Sequence, residues 1–241
     1  MVDYEEVAFK ELVLWKGKMN KRPSSTSSIF KDMQVKANNL IPLKVRNLIT
    51  DMIRNMVKGV LTGSEYTTRK PLAKKSLENR EGQVKERLDF YRKSAMVSGA
   101  GTGAGGFFLG LADFPILLSL KIKFLFDTAS LYGFDVSDYK ERLYILYVFQ
   151  LAFSSKERGQ EVFCQMVNWD SYVKQLPANI DEFDWETFEQ QYRDYIDLAK
   201  MLQLVPGIGA AVGAYANYKL MDKLGTTAIN AYRLRVFKRN D

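Results

Sequence analysis

The residues with chemical potential are few, and their types limit what they could do. Gly101-Thr102-Gly103-Ala104-Gly105-Gly106 contains a formal G-x-G-x-x-G, and Asp127 follows about 20 residues on, where a dinucleotide site keeps its ribose acid. A turn of this kind presents backbone N–H groups that hold a phosphate at the start of a helix. Its flanks do not fit that use. Residues 84–98 read as a charged helix rather than a buried strand, and Phe107 stands where a Walker A motif needs Lys. A close-packed turn is the first reading, with Gly101, Thr102, Gly103 and Gly106 kept as a candidate phosphate cradle. Asp113 lies among Leu111, Ala112, Phe114 and Ile116, where it either caps a helix opening at Pro115 or carries a raised pKa. It joins the candidate ligand set, but no second carboxylate stands at a fixed separation for acid–base work, and no catalytic residue is assigned.

Helices must position these groups. Nowhere do apolar and polar residues alternate long enough for a half-buried strand, while the 3-4 helical spacing recurs from end to end. The expected fold is all-α, a multi-helix bundle with Gly/Ala-rich, close-packed helical hairpins. Asp3 predicts an N-cap for a helix to about residue 16, and residues 17–28 read as a basic polar connector. The chain accordingly divides into an N-terminal helix and linker over 1–28 and a single all-helical domain over 29–241. Val45, Leu48, Ile49, Met52, Ile53, Met56, Val57, Val60 and Leu61 fall on one face of a helix. A charged helix over 71–96 carries a thin stripe of Leu72, Leu77, Val84, Leu88 and Tyr91. Gly133 predicts the stop of a helix over 107–132, and Asp138 opens the segment 143–153, apolar on nearly all sides and therefore central. Further helices are expected over 157–173, from a cap at Asp184 toward 204, over 206–224 and over 226–237. Pro206 leads a Gly/Ala segment in which Gly209, Gly213 and Asn217 stand four apart, a face that lets another helix approach closely.

Composition narrows the function classes. The 241 residues include no His and one Cys, which excludes Ser-His-Asp triads, His-ligated metals and cysteine-rich zinc sites within this sequence. No metal or cofactor is expected. Cys164, between Phe163 and Gln165-Met166, reads as a reduced core thiol. The net charge of +7 is uneven: residues 1–93 carry 20 basic and 11 acidic side chains, a balance of +9, and residues 94–241 carry 15 and 17, a balance of −2. A basic face beside amphipathic helices suits an anionic lipid surface or an acidic protein. No nucleic-acid motif accompanies the charge, so no nucleic acid is expected as a partner. The N-terminus lacks a secretory signal, which makes the cytoplasm the expected compartment. Residues 94–120 are the least polar stretch, yet Gly, Ala, Ser and Thr dominate its first half and Pro115 interrupts its second. An Asp at the centre of a span costs roughly 2.5–3.5 kcal/mol. A stable span is not expected, while a hairpin that inserts conditionally stays open.

Four stretches in order resemble the EcsC family: Gly101-Thr-Gly-Ala-Gly-Gly; Leu109-Gly-Leu-Ala-Asp-Phe-Pro-Ile-Leu-Leu-Ser-Leu; Leu131-Tyr-Gly-Phe-Asp; and Val205-Pro-Gly-Ile-Gly-Ala-Ala-Val-Gly-Ala with Asn217-Tyr218. The founding member is encoded with the ATPase and membrane subunits of an ABC transporter, so the resemblance implies transporter subunits or an anionic membrane surface as partners. It brings no catalytic residues, and this chain has neither Walker pattern, so the ATPase belongs to the neighbour. Pro115, Pro206, Gly209, Gly213 and Asn217 match as signature positions with structural roles. The function these readings imply is a non-enzymatic accessory protein, cytoplasmic or peripheral at the inner face of the cell membrane. Two alternatives stay open: a binder or enzyme for a small phosphorylated or nucleotide ligand at residues 99–106, and a membrane-inserting helical hairpin.

Overall fold

The structure, a computed structural model, describes residues 3–21, 43–62, 75–102, 114–154, 156–176 and 210–238. Within them the chain forms α1 (Tyr4–Asn20), α2 (Leu43–Thr62), α3 (Leu77–Thr102), α4 (Phe114–Leu131), α5 (Tyr139–Phe153), α6 (Lys156–Val167), α7 (Trp169–Tyr172), a 3-10 turn (Val173–Gln175) and α8 (Ala210–Lys238), with no strand. The fold is an all-α bundle.

Local chemistry sets several helix ends. Asp3 accepts a hydrogen bond from the Glu5 N–H at 3.2 Å, and Glu5 and Glu6 in the first turn with Lys18 in the last complement the helix dipole, carrying α1 to Asn20. Asp138 caps α5 in the same way through the Lys140 N–H at 2.9 Å. Gly133 ends α4 at φ 88°, a left-handed conformation that lets its own N–H reach the Ser130 carbonyl and the Phe134 N–H reach the Ala129 carbonyl, each at 3.0 Å. Helix α6 stops at Val167, and the residues read as its continuation form the short α7 and the 3-10 turn.

The interior is built around α5, whose residues from Leu143 through Phe153 are all buried. Helix α8 packs most extensively against α3 and runs antiparallel to it, with Arg233 beside Glu81, Gly225 beside Leu88 and Asp222 beside Arg92. Helix α4 is also antiparallel to α3, since Tyr132 lies by Arg80 and Asp127 by Tyr91. It follows that α4 and α8 run parallel and begin at the end of the bundle where α3 finishes. Stacked and edge-on rings of Tyr132, Tyr232, Tyr144, Phe134 and Trp169 fill the opposite half.

Two expectations are corrected. The stretches read as separate helices on either side of Gly225 form one helix, because Gly225 is a contact point rather than a break. A Cβ there would lie 2.6 Å from Leu88 Cδ1, 3.0 Å from Cγ and closer still to Cδ2, so α8 rests on α3 only without a side chain. Gly225→Ala is expected to destabilise by about 1–3 kcal/mol through overpacking, against a gain of up to about 1 kcal/mol in helix propensity. A denaturation midpoint equal to or above wild type would contradict that close contact. Cys164 is exposed, not a core thiol. On α6 the buried positions are Gly159, Val162, Phe163 and Met166, and 164 falls on the face turned away from them.

Candidate functional site

The residues singled out from the sequence divide by position. Gly101 and Thr102 are the last residues of α3, which stays helical through both. Gly103, Gly106, Asp113, Pro206 and Gly209 lie outside the described residues, as do the helix expected from Asp184 toward 204 and residues 22–28 of the connector, whose first residues, 17–20, belong to α1 instead. Pro115 is the second residue of α4 and exposed, where its missing N–H leaves no hydrogen bond unmade. Gly213 and Asn217 occupy the first two turns of α8. Asn217 is fully buried, yet among the described residues neither amide atom meets a hydrogen-bond partner.

Sequence reasoning missed the buried ionic clusters. Glu81 has no exposed surface and receives both Nε and Nη2 of Arg233 at 2.7 Å, the Tyr132 hydroxyl at 2.9 Å and the Tyr4 hydroxyl at 2.7 Å. Arg233 also donates to Glu11 at 2.8 Å. Burial and the carboxylate of Glu81 push the Tyr4 phenol up to about 12. Burial opposes the Arg233 charge, but its hydrogen bonds to Glu81 and Glu11 and their negative charge hold the guanidinium above its ordinary value. A second cluster joins Glu141 to Arg235 at 2.5 Å and to the Tyr232 hydroxyl at 2.9 Å. The Arg235 guanidinium also sits 3.8 Å from the Phe134 ring centre and 4.5 Å from that of Tyr144. Both oxygens of each buried carboxylate, Glu81 and Glu141, have a donor, which marks the clusters as fasteners of α1, α3, α5 and α8 rather than as reactive groups. The signal for Glu81 was its place in the apolar stripe of α3: Leu77, Glu81, Val84, Leu88, Tyr91 and Ala95 keep the 4-3-4-3-4 spacing of one buried face.

Lys121, on α4, has no counter-ion among the described residues. It is fully buried, among those residues its Nζ reaches only the Leu117 carbonyl at 3.3 Å, and burial lowers its pKa to about 7. It precedes Tyr132 by eleven residues, three helical turns, and so shares the face of α4 that meets α8 through Tyr132 and Tyr232. Asn217 shares the face of α8 that carries Ala228, eleven residues on. The parallel register puts the two at one level, near the end where α3 finishes.

A groove of about 530 Å³ opens between α1, α5, α6 and α8. Its position follows from two anchors on α1: Gln160 of α6 donates to the Met19 and Lys21 carbonyls at 3.3 and 2.9 Å, and Trp15 meets Phe163 edge-on at 5.4 Å. These fix the end of α1 across α6 and make it one wall. Trp15, Met19 and Leu151 supply apolar surface, while Lys18, Lys219, Lys223 and Thr226 supply polar tips. Asp222 is the groove's carboxylate, and it is paired with Arg92. The groove is therefore basic. Lys219, Lys223 and Thr226 stand at i, i+4 and i+7 on α8, a spacing visible in the sequence, but their companion Lys18 comes from the far end of the chain.

The end of the bundle next to this groove is apolar. Val97 on α3 is 74% exposed, Tyr215 on α8 62%, Ile116 on α4 54% and Met96 38%. Each helix sets an exposed lysine behind its apolar residue on the same face: Lys93 four residues from Val97, Lys219 four from Tyr215, and Lys123 seven from Ile116. Among the described residues no group of three or more Asp, Glu or Cys could hold a metal ion.

An all-helical bundle with a basic groove and an apolar, lysine-collared end is what this geometry defines. The chain belongs to the EcsC protein family, whose match covers residues 6–237. It is similar to Protein EcsC of Bacillus subtilis strain 168, 42% identical over 234 residues that span 97% of this chain and 96% of that protein. The uncharacterized protein YdbA of the same organism is 27% identical over 220 residues, 82% of this chain and 80% of its own. No solved structure matches the chain.

Proposed function

We propose that this protein is a non-enzymatic accessory factor that docks peripherally on the anionic inner face of the cell membrane, where it meets a membrane transporter. The observation that carries the reading is the end of the bundle with Val97, Ile116 and Tyr215 exposed and Lys93, Lys123 and Lys219 one or two turns behind them. Apolar tips that enter the acyl boundary, with lysines at headgroup height, are the arrangement by which a surface helix binds an anionic bilayer. Each lysine near such a surface contributes about 1 kcal/mol, and the attraction is screened by salt. Among the described residues no helix is long and apolar enough to cross a membrane, so docking here needs no span.

Vesicle flotation tests this. The protein should float with vesicles rich in phosphatidylglycerol and not with phosphatidylcholine alone, and 0.5 M salt should release most of it. Val97→Asp with Ile116→Asp, both at exposed positions, should weaken binding at least tenfold without moving the thermal midpoint. Failure to bind anionic vesicles, or equal binding by that variant, would remove the bilayer as the partner.

A further inference from the structure

We propose that the groove between α1, α5, α6 and α8 holds the phosphate headgroup of one anionic membrane lipid, its glycerol and first acyl carbons lying on Trp15 and Leu151. Its volume, about 530 Å³, falls within the roughly 300–1,000 Å³ of small-ligand sites and suits a headgroup with the start of a chain. Charge selects the ligand's sign. Lys18 and Lys219 border the groove, and the negative charge of Asp222 is engaged by Arg92, so an entering group meets a net positive potential. The Lys18 and Lys219 ammonium groups and the Thr226 hydroxyl are donors, as a phosphate with several acceptor oxygens requires. The apolar wall distinguishes such a lipid from a free phosphate. Trp15 and Leu151 would add nothing to inorganic phosphate but would cover the hydrocarbon of an ester, and an aromatic ring beside lysines suits the boundary between headgroup and chain.

Position identifies the source. Lys219 to Thr226 follow Tyr215 on α8 by four to eleven residues, so the groove runs roughly 6–17 Å along the helix from the apolar end at 1.5 Å per residue. A bilayer in contact with Tyr215 would stand a few ångströms from the groove's mouth, and Lys219 belongs to both surfaces. The choice of a lipid thus rests on the membrane reading, although the preference for a phosphate on an apolar stem does not.

Dihexanoylphosphatidic acid, kept monomeric, offers the headgroup without a bilayer. By titration calorimetry on the full chain it should bind at least tenfold more tightly than dihexanoylphosphatidylcholine and than glycerol 3-phosphate. Lys18→Gln with Lys219→Gln, both at exposed positions, should lose that binding at least tenfold with an unchanged thermal midpoint. A shift in Trp emission on binding that Trp15→Phe abolishes provides a second readout on a protein whose charges are intact. The Val97→Asp, Ile116→Asp variant separates the two proposals: it should bind the monomeric lipid as wild type does while losing vesicles. No preference for phosphatidic acid, equal affinity for glycerol 3-phosphate, or undiminished binding by the lysine variant would overturn the groove as a lipid site. Monomer binding without vesicle binding would leave the groove standing and fell the membrane reading.

Discussion

Arg233→Leu is expected to destabilise the protein by about 3–5 kcal/mol, the effect of removing one partner from a buried ion pair. The reason lies with what stays behind. Glu81 has no exposed surface, and both its oxygens are spoken for by Arg233 at 2.7 Å. Without the guanidinium the carboxylate keeps the hydroxyls of Tyr132 and Tyr4, at 2.9 and 2.7 Å, which satisfy its lone pairs but bring no positive charge. Desolvation of the anion then goes uncompensated. Removing both members in Glu81→Leu/Arg233→Leu should recover at least half of the loss, since two apolar side chains in that volume carry no unpaired charge. Glu11 offers an internal control. Its side chain is 58% exposed, and Glu11→Ala should cost no more than about 1 kcal/mol although it also contacts Arg233. Urea unfolding of wild type and the three variants decides the matter. A loss below about 1 kcal/mol for Arg233→Leu would mean that water reaches Glu81 in the folded protein, and that the link between α3 and α8 rests on Leu88 against Gly225 instead.

How much of this was legible before any coordinates depended on the range of the interaction. Caps and stops at Asp3, Asp138 and Gly133 are local: a side chain or a left-handed glycine satisfies backbone groups within five residues, so the sequence around them suffices. The central place of α5 was equally readable, because an apolar run with no polar face has nowhere to lie but inside. Glu81 was not. A carboxylate in a charged helix reads as solvated until its partner is known, and Arg233 stands 152 residues away. Gly225 was misread for a related reason, since a glycine inside a helix and a glycine ending one look alike until Leu88 is seen against it. The groove assembles Trp15 and Lys18 with Lys219 and Lys223, and only the α8 half of that set has a spacing to notice. The Gly-rich motif drew attention toward residues 99–106, whereas the basic concavity lies between other elements.

Lys121 should make the protein less stable at neutral than at mildly alkaline pH. Its pKa in the folded chain is about 7 against 10.5 for the ordinary side chain, because burial disfavours the charged form and no carboxylate among the described residues compensates. Between those values the unfolded chain binds a proton that the native state does not, so stability rises with pH, by up to about 1.4 kcal/mol per pH unit. Below pH 7 both states hold the proton and the penalty is constant. Above pH 10 the buried phenols of Tyr132, Tyr144 and Tyr232 act in the opposite sense, since burial raises their folded values and stability falls as the unfolded tyrosines ionise. Comparing wild type with Lys121→Met cancels the tyrosines and isolates the lysine. Methionine fills a similar volume with no charge, and the variant should be more stable by about 1–4 kcal/mol at pH 6.5. Chemical denaturation from pH 6.5 to 9.5 should show the gap narrowing as Lys121 loses the penalty for its charge. A gap that stays constant would mean the native lysine keeps its proton throughout. It would then need an anion at its own level of the bundle, where the described residues supply it only the Leu117 carbonyl.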